Sequence, residues 1–159
     1  MRVTRQRLID LADAECQRQA QASDVVAGYL IGSLAQGEAL IDGVGDIDLV
    51  LIHRDPPAEA RSIIPLSADI HLDIAHHAQS FYAQPRELRI HPWWGPAIAE
   101  PLFLFDPDHF FEWAQASARG QFHRSDHASA RGRAFLQSAQ APLAGLPESD
   151  DWLRAYLGA

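Results

Sequence analysis

Short apolar clusters, separated by glycine, proline and aspartate, predict a chain that alternates between helices and strands. Over residues 3–21 apolar positions recur every three or four residues, which is typical of an amphipathic helix. The run 25–31 is almost wholly apolar and rich in β-branched residues, as in a buried strand. Segments 46–53 and 69–76 predict two more strands, of which the later alternates cleanly between polar and apolar residues.

The rest of the chain is predicted to be mainly helical. Proline and glycine divide it into short elements. The expected elements are a short helix over 34–39, a loop over 41–45, a helical turn near 58–62, a helix over 80–90 that breaks at Pro85, a short helix over 93–99, a strand over 102–105, a helix over 109–119 capped by Asp108, and a helix from Ser125 or Asp126 to about 140.

Pro142, Gly145 and Pro147 mark the end of the predicted domain. We expect one domain over 1–141, and over 142–159 a linker followed by the start of a C-terminal helix. An amphipathic turn cannot bury its apolar side alone. This segment is therefore either a terminal helix that docks on the domain or the beginning of a truncated helical domain, and the sequence leaves both interpretations open.

Composition and charge narrow the class of partner. The 159 residues carry a net charge of -8, and all 13 basic residues are arginine. A protein that grips a nucleic-acid backbone usually clusters basic side chains, so a polynucleotide partner is disfavoured. No apolar run approaches the roughly 20 residues of a membrane span, the N-terminus does not resemble a signal peptide, and Cys16 is the single cysteine. We expect a cytoplasmic protein.

Three aspartates on two predicted strands are candidate metal ligands. Asp46 and Asp48 stand two residues apart, so their side chains share one face of a strand. Like charges this close either shift their pKa values or bind a cation, and Mg²⁺ favours oxygen ligands. Asp73 joins them if its strand lies alongside, with His71 on the same face to line the site or tune Asp73. The alternative is a solvent-exposed acidic sheet face.

Gly32 and Ser33 follow the first predicted strand directly and precede a short helix. Glycine lets a backbone approach an anion closely, and the first amides of a helix point toward it. The pair therefore predicts a phosphate-binding bend, with twelve residues between Ser33 and Asp46. The alternative is an ordinary turn in which Ser33 is the helix N-cap.

One pair of tryptophans and one pair of histidines are weaker candidates for ligand-binding residues. Trp93 and Trp94 stand between a proline and a glycine, where they would either stack on a ring of a ligand or pack beneath the loop, and packing is favoured. His76 and His77 end a predicted strand, where we expect them to be solvated.

The segment 29–37 together with 45–50 resembles the signature of the DNA polymerase β-like nucleotidyltransferase superfamily, and the aminoglycoside-type and minimal nucleotidyltransferases most of all. That signature is Gly-Ser, a loop, acidic-x-acidic and a third carboxylate on a later strand, and the resemblance covers residues 25–75. The stretch 101–108 also resembles the end of this domain in the antibiotic-modifying branch. The chain departs from many minimal members at Gln36, where they have a basic residue, and at Gly45, where they have serine.

The resemblance implies a nucleotidyltransferase fold of the α/β (α+β) class, a small mixed β-sheet with helices packed on one face and the acidic face open to substrate. Asp46, Asp48 and Asp73 would hold two Mg²⁺ ions as the catalytic residues, and Gly32 and Ser33 would bind the nucleoside triphosphate, which we expect to be ATP. The implied reaction moves a nucleoside monophosphate to a hydroxyl of a small molecule. The alternative is a minimal nucleotidyltransferase antitoxin that binds or modifies a partner toxin protein.

Overall fold

The computed structural model describes residues 4–22, 24–37 and 45–143, which form a mixed sheet with helices packed on it. None of the helices in these ranges has the length and apolar character that crossing a membrane requires. In chain order the elements are α1 (Arg5–Ala22), β1 (Val25–Leu30), α2 (Gly32–Gln36), β2 (Gly45–His53), β3 (Arg61–Pro65), β4 (Ile70–Ala78), a 3₁₀ turn (Gln79–Tyr82), α3 (Pro85–Leu88), α4 (Trp94–Ala99), β5 (Leu102–Phe105), α5 (Phe110–Arg119) and α6 (Ser125–Leu143).

The strands lie in the order β3-β4-β2-β1-β5. The two central neighbours β2 and β4 are parallel, and the other pairs are antiparallel. The predicted α/β class with a small mixed sheet is confirmed. Parallel pairing brings the beginnings of β2 and β4 to the same edge of the sheet, so the polar residues that begin both strands are neighbours.

Helices cover both faces of the sheet, which corrects the expectation that they would pack on one face only. Leu49 and Leu51 pack with α1 in one core cluster. Val50 and Ile52 point to the other face and pack with Phe111 of α5. The reason lies in β2 itself, because residues 49–52 are all apolar and both of their faces must be buried. Among the described residues, the acidic face is exposed at Asp46, at the beginning of β2.

Residues 61–65 form the edge strand β3, so the predicted helical turn over 58–62 is wrong. The strand pairs antiparallel with β4, and Ile63 lies opposite Asp73. Tertiary pairing of this kind overrides weak local preference. The consecutive β-branched residues Ile63 and Ile64 were the available signal, and Pro65 directly after them obscured it.

The two late helices are present, although two details differ. Asp106, not Asp108, caps α5, because its carboxylate accepts hydrogen bonds from the backbone N–H of Phe111 at 3.2 Å and of Glu112 at 2.8 Å. Helix α6 continues through Pro142 to Leu143, past the predicted start of the linker. The predicted C-terminal helix lies outside the described residues, as does most of the loop predicted over 41–45.

Cys16 lies fully buried in α1, where it faces the backbone of Gly28 in β1. A Cβ on Gly28 would lie 2.3 Å from the Cys16 sulfur, so the glycine is what lets α1 pack close to the sheet. Burial raises the pKa of the Cys16 thiol to about 12. The cysteine is therefore a packing residue rather than a reactive one.

Candidate active site

The bend after β1 lies directly against Asp48. The backbone N–H of Ile31 donates to the carbonyl oxygen of Asp48 at 3.0 Å, which fixes the bend beside β2. Gly32 has a φ of +71°, and a Cβ there would lie 2.3 Å from Oδ2 of Asp48. The carboxylate thus occupies the space that a side chain at position 32 would need. Ser33 is exposed in the first turn of α2, and this helix has no side-chain N-cap, so the interpretation of Ser33 as an N-cap is wrong.

Asp48 and Asp73 lie opposite each other in the parallel register of β2 and β4. Neighbouring strands are about 4.8 Å apart, so the backbone alone places these two carboxylates side by side. Burial raises the pKa of Asp48, with further contributions from the charges of Asp73 and Asp46, while Arg61 opposes the shift. Asp48 is half-buried and the Asp73 side chain is 14% exposed, so this pair is not part of a freely solvated acidic face.

Asp46 stands at the outer end of the acidic set. It lies two residues before Asp48 on the same side of β2, and its side chain is 65% exposed. His71, opposite Asp46 in the β2–β4 register, has its Nδ1 3.6 Å from Oδ1 of Asp46. The prediction that His71 tunes Asp73 is therefore corrected, because the histidine lies nearest Asp46.

Arg61 is a member of the site that the sequence did not reveal. Its Nε donates to Oδ1 of Asp73 at 2.7 Å, and its Nη2 donates to Oδ2 of the same carboxylate. Both oxygens of Asp73 are thereby engaged in a bidentate pair. The Arg61 side chain itself is 67% exposed, so it can leave Asp73 without losing a buried position.

The donor chemistry of the acidic set fits Mg²⁺, although its side chains are not drawn together around one point. Asp46, Asp48 and Asp73 offer only carboxylate oxygens, which suit a hard cation. Across residues 4–22, 24–37 and 45–143, however, no three His, Cys, Asp or Glu side chains are grouped closely enough to hold a metal ion. The pair between Arg61 and Asp73 gives a physical reason, because a guanidinium holds the oxygens that a cation would take.

A cavity of about 460 Å³ adjoins the acidic pair. Asp48, Asp73 and Arg61 line one end of it. Ile31, which lies beside Asp48, also lines the cavity, and His77 and Trp94 line its aromatic end.

His77 and Trp94 pack against each other at the aromatic end. Their rings meet edge to face with centroids 4.2 Å apart, and burial lowers the pKa of His77 to about 4. His77 is therefore not the solvated residue that the sequence predicted. Trp93 instead points outward and packs on Phe135 of α6, so the two tryptophans have separate roles.

A chain of hydrogen bonds through His53 and His76 lies mainly on the opposite face of the sheet, although His76 also lines the cavity. His53 Nδ1 lies 3.0 Å from Oδ1 of Asp24, and its Nε2 lies 3.0 Å from Nδ1 of His76. His76 Nε2 then lies 2.8 Å from the Ser62 hydroxyl. This chain connects β2, β3 and β4 with the residue before β1. It also corrects the expectation that His76 is solvated.

No protein-family model matches the chain, and no curated protein sequence matches it either. The resemblance over residues 25–75 therefore stays a prediction that rests on the motif and on the placement of its residues.

Proposed function

We propose that this protein is a Mg²⁺-dependent nucleotidyltransferase that moves a nucleoside monophosphate from a triphosphate, expected to be ATP, to a hydroxyl of a small molecule. The observation that most supports this function is the position of Asp48. Its carboxylate lies against the Gly32 bend on one side and beside Asp73 on the other. A phosphate-binding bend and a paired carboxylate must adjoin if a metal is to connect them.

In this proposal each residue has a separate role. Asp46, Asp48 and Asp73 would hold two Mg²⁺ ions, and the backbone at Gly32 and Ser33 would bind the terminal phosphates. The acceptor hydroxyl oxygen bonds to the α-phosphorus, the bond from that phosphorus to the bridging oxygen breaks, and pyrophosphate leaves with the electron pair. Asp73 accepts the hydroxyl proton. Bound Mg²⁺ would neutralise charge on the triphosphate and on the leaving pyrophosphate.

Arg61 supplies the cation that is missing at Gln36. It pairs with Asp73 in the ligand-free protein, and it would be free to bind a phosphate oxygen if a metal took that carboxylate. Its exposed side chain and flexible stem let it turn without leaving a buried position. Its guanidinium also matches the geometry of phosphate.

Two measurements test this function. Titration calorimetry measures the binding of ATP and of GTP in the presence of Mg²⁺, and a second assay measures pyrophosphate release with a panel of hydroxyl acceptors. Asp48→Asn should lower pyrophosphate release at least about 100-fold, since even residues that only support a metal ligand cost 10–100-fold when lost. Asp108→Asn is the matched control, because Asp108 is exposed and distant in sequence from the acidic set. Equal binding and turnover in wild type and Asp48→Asn would refute the assignment.

A protein partner is a second candidate, and one observation favours it. Trp113 of α5 is 74% exposed, and Phe103 of the edge strand β5 is exposed beside the same helix. A protein partner that covered both side chains would remove this apolar surface from water. If the chain acts as an antitoxin, it should purify from its native host with a stoichiometric small protein that Trp113→Ser releases. A lone chain in that preparation contradicts this function.

A further inference from the structure

The cavity beside the acidic pair extends along β4. It is lined at one end by Asp73 and at the other by His77, four residues later on the same face of the strand. At about 3.3 Å per residue the two positions are about 13 Å apart. A volume of about 460 Å³ falls in the range of about 300–1,000 Å³ that small-ligand sites occupy.

The hydrogen bonds behind His77 determine which of its nitrogens carries the proton. Nδ1 of His77 lies 2.7 Å from the Tyr82 hydroxyl, which in turn lies 2.7 Å from the Tyr29 hydroxyl. Both tyrosines are buried. If Tyr82 donated to Tyr29, the Tyr29 proton would have no acceptor among the described residues. Both hydroxyl protons find an acceptor in one arrangement, in which Tyr29 donates to Tyr82 and Tyr82 donates to Nδ1 of His77.

This arrangement places the proton of His77 on Nε2. Because burial holds the pKa of the ring near 4, His77 stays neutral around pH 7 and keeps that one N–H. Nε2 makes no hydrogen bond within the described residues, and it is not among their buried, unpartnered polar atoms. It is therefore a donor that is accessible from the cavity.

We propose that this cavity binds the nucleobase of the triphosphate, with Nε2–H of His77 donating to a ring nitrogen or carbonyl oxygen of the base. This inference rests on the proposed function, which places the phosphates at the Gly32 bend. Ile31 and Asp48, which flank that bend, both line the cavity, so a base joined to those phosphates through its sugar enters the cavity directly. The apolar walls formed by Val50 and Trp94 suit a flat, uncharged ring.

Three ligands separate the base subsite from the phosphate site. Magnesium tripolyphosphate reports the phosphate site alone, the four magnesium nucleoside triphosphates report both, and free nucleosides report the base subsite alone. In wild type we expect the best nucleoside triphosphate to bind more tightly than tripolyphosphate. His77→Phe keeps a ring but removes the donor, and it should weaken that triphosphate about tenfold, the effect of about 1.4 kcal/mol, while tripolyphosphate binding is unchanged.

His123→Gln is the control, because His123 is exposed and packs edge to face on the neighbouring Phe122 ring. If His77→Phe does not fold, the imidazole ¹⁵N resonances of His77 in the wild type test the contact instead. The Nε2 resonance should shift when a nucleoside triphosphate is added but not when tripolyphosphate is added. Nucleoside triphosphates that bind no better than tripolyphosphate would overturn the base subsite and leave the proposed function standing. Nucleosides that bind through His77 without any tripolyphosphate binding would support the subsite and refute the function.

Discussion

Gly32→Ala should displace the carboxylate of Asp48 while leaving the fold intact. The new Cβ would lie 2.3 Å from Oδ2 of Asp48, where 3.4–4 Å is an ordinary contact. The nearest obstructing atom belongs to the end of a side chain rather than to backbone, so the aspartate side chain is what moves. Gly32 and Gly37 both have positive φ values, of +71° and +87°, and a Cβ on Gly37 meets nothing within 4 Å. Gly37→Ala is therefore a matched control that carries backbone strain without the contact.

The two variants should differ little in stability and strongly at the site. A non-glycine residue in the left-handed region costs about 1–2 kcal/mol in either variant. Moving the Asp48 side chain off its preferred rotamer adds about 0.5–1.5 kcal/mol in Gly32→Ala alone. At about 2–4 °C per kcal/mol for a chain of this length, the melting temperature of Gly32→Ala should lie a few degrees below that of Gly37→Ala.

Carbon-13 NMR of the Asp48 carboxyl measures the displacement without requiring any ligand. Because burial is the largest cause of its raised pKa, a displaced and more solvated carboxyl should titrate closer to the ordinary aspartate value in Gly32→Ala. Magnesium ATP binding should weaken in that variant and persist in Gly37→Ala. An unchanged Asp48 titration in Gly32→Ala, or the same change in both variants, would refute the close contact.

Two further predictions concern the charges of the site. Burial raises the pKa of Asp48 in the folded state, so stability is lost as the pH rises through that pKa. Asp48→Asn should therefore melt above the wild type at pH 7, and thermal melts in steps from pH 7 to pH 4 should show this difference shrinking. Arg61→Ala removes the guanidinium from Asp73 and should strengthen binding of Mg²⁺ titrated alone, because both oxygens of that carboxylate are then released. Weaker Mg²⁺ binding in Arg61→Ala would argue that the arginine organises the carboxylates rather than competing for them.

The sequence predicted the elements that carry their own periodicity and the adjacency of the motif residues. Apolar runs and the alternation of polar and apolar residues predict strands β1, β2 and β4, and the glycine after β1 indicates a bend. The sequence placed Asp48 near Asp73 on the condition that their strands are neighbours, and the parallel β2–β4 register meets that condition. Strand β3 was missed because its stability comes from its pairing with β4 rather than from its own composition.

The residues that the sequence could not predict are those whose roles depend on a distant partner. Nothing in the sequence distinguishes Arg61 from the other arginines among the 13, and its role becomes visible only where β3 places it against Asp73. His77 was expected to be solvated because it ends a strand, and only the packing of Trp94 and Tyr82 shows that it is covered. Burial of a polar side chain is decided by what folds over it, and a single sequence carries little information about that.

The spacing between Asp48 and Asp73 is set by backbone hydrogen bonds in the β2–β4 ladder, so it does not depend on which apolar side chains fill the core around it. Mutations that exchange one aliphatic residue for another beneath the sheet should alter melting behaviour and leave the backbone spacing of these two aspartates unchanged. Over long divergence, the hydrophobic positions of such a protein are free to drift while the two acids keep their geometry. The part of the chain under the strictest chemical constraint can therefore be as small as one bend and the opening residues of two neighbouring strands.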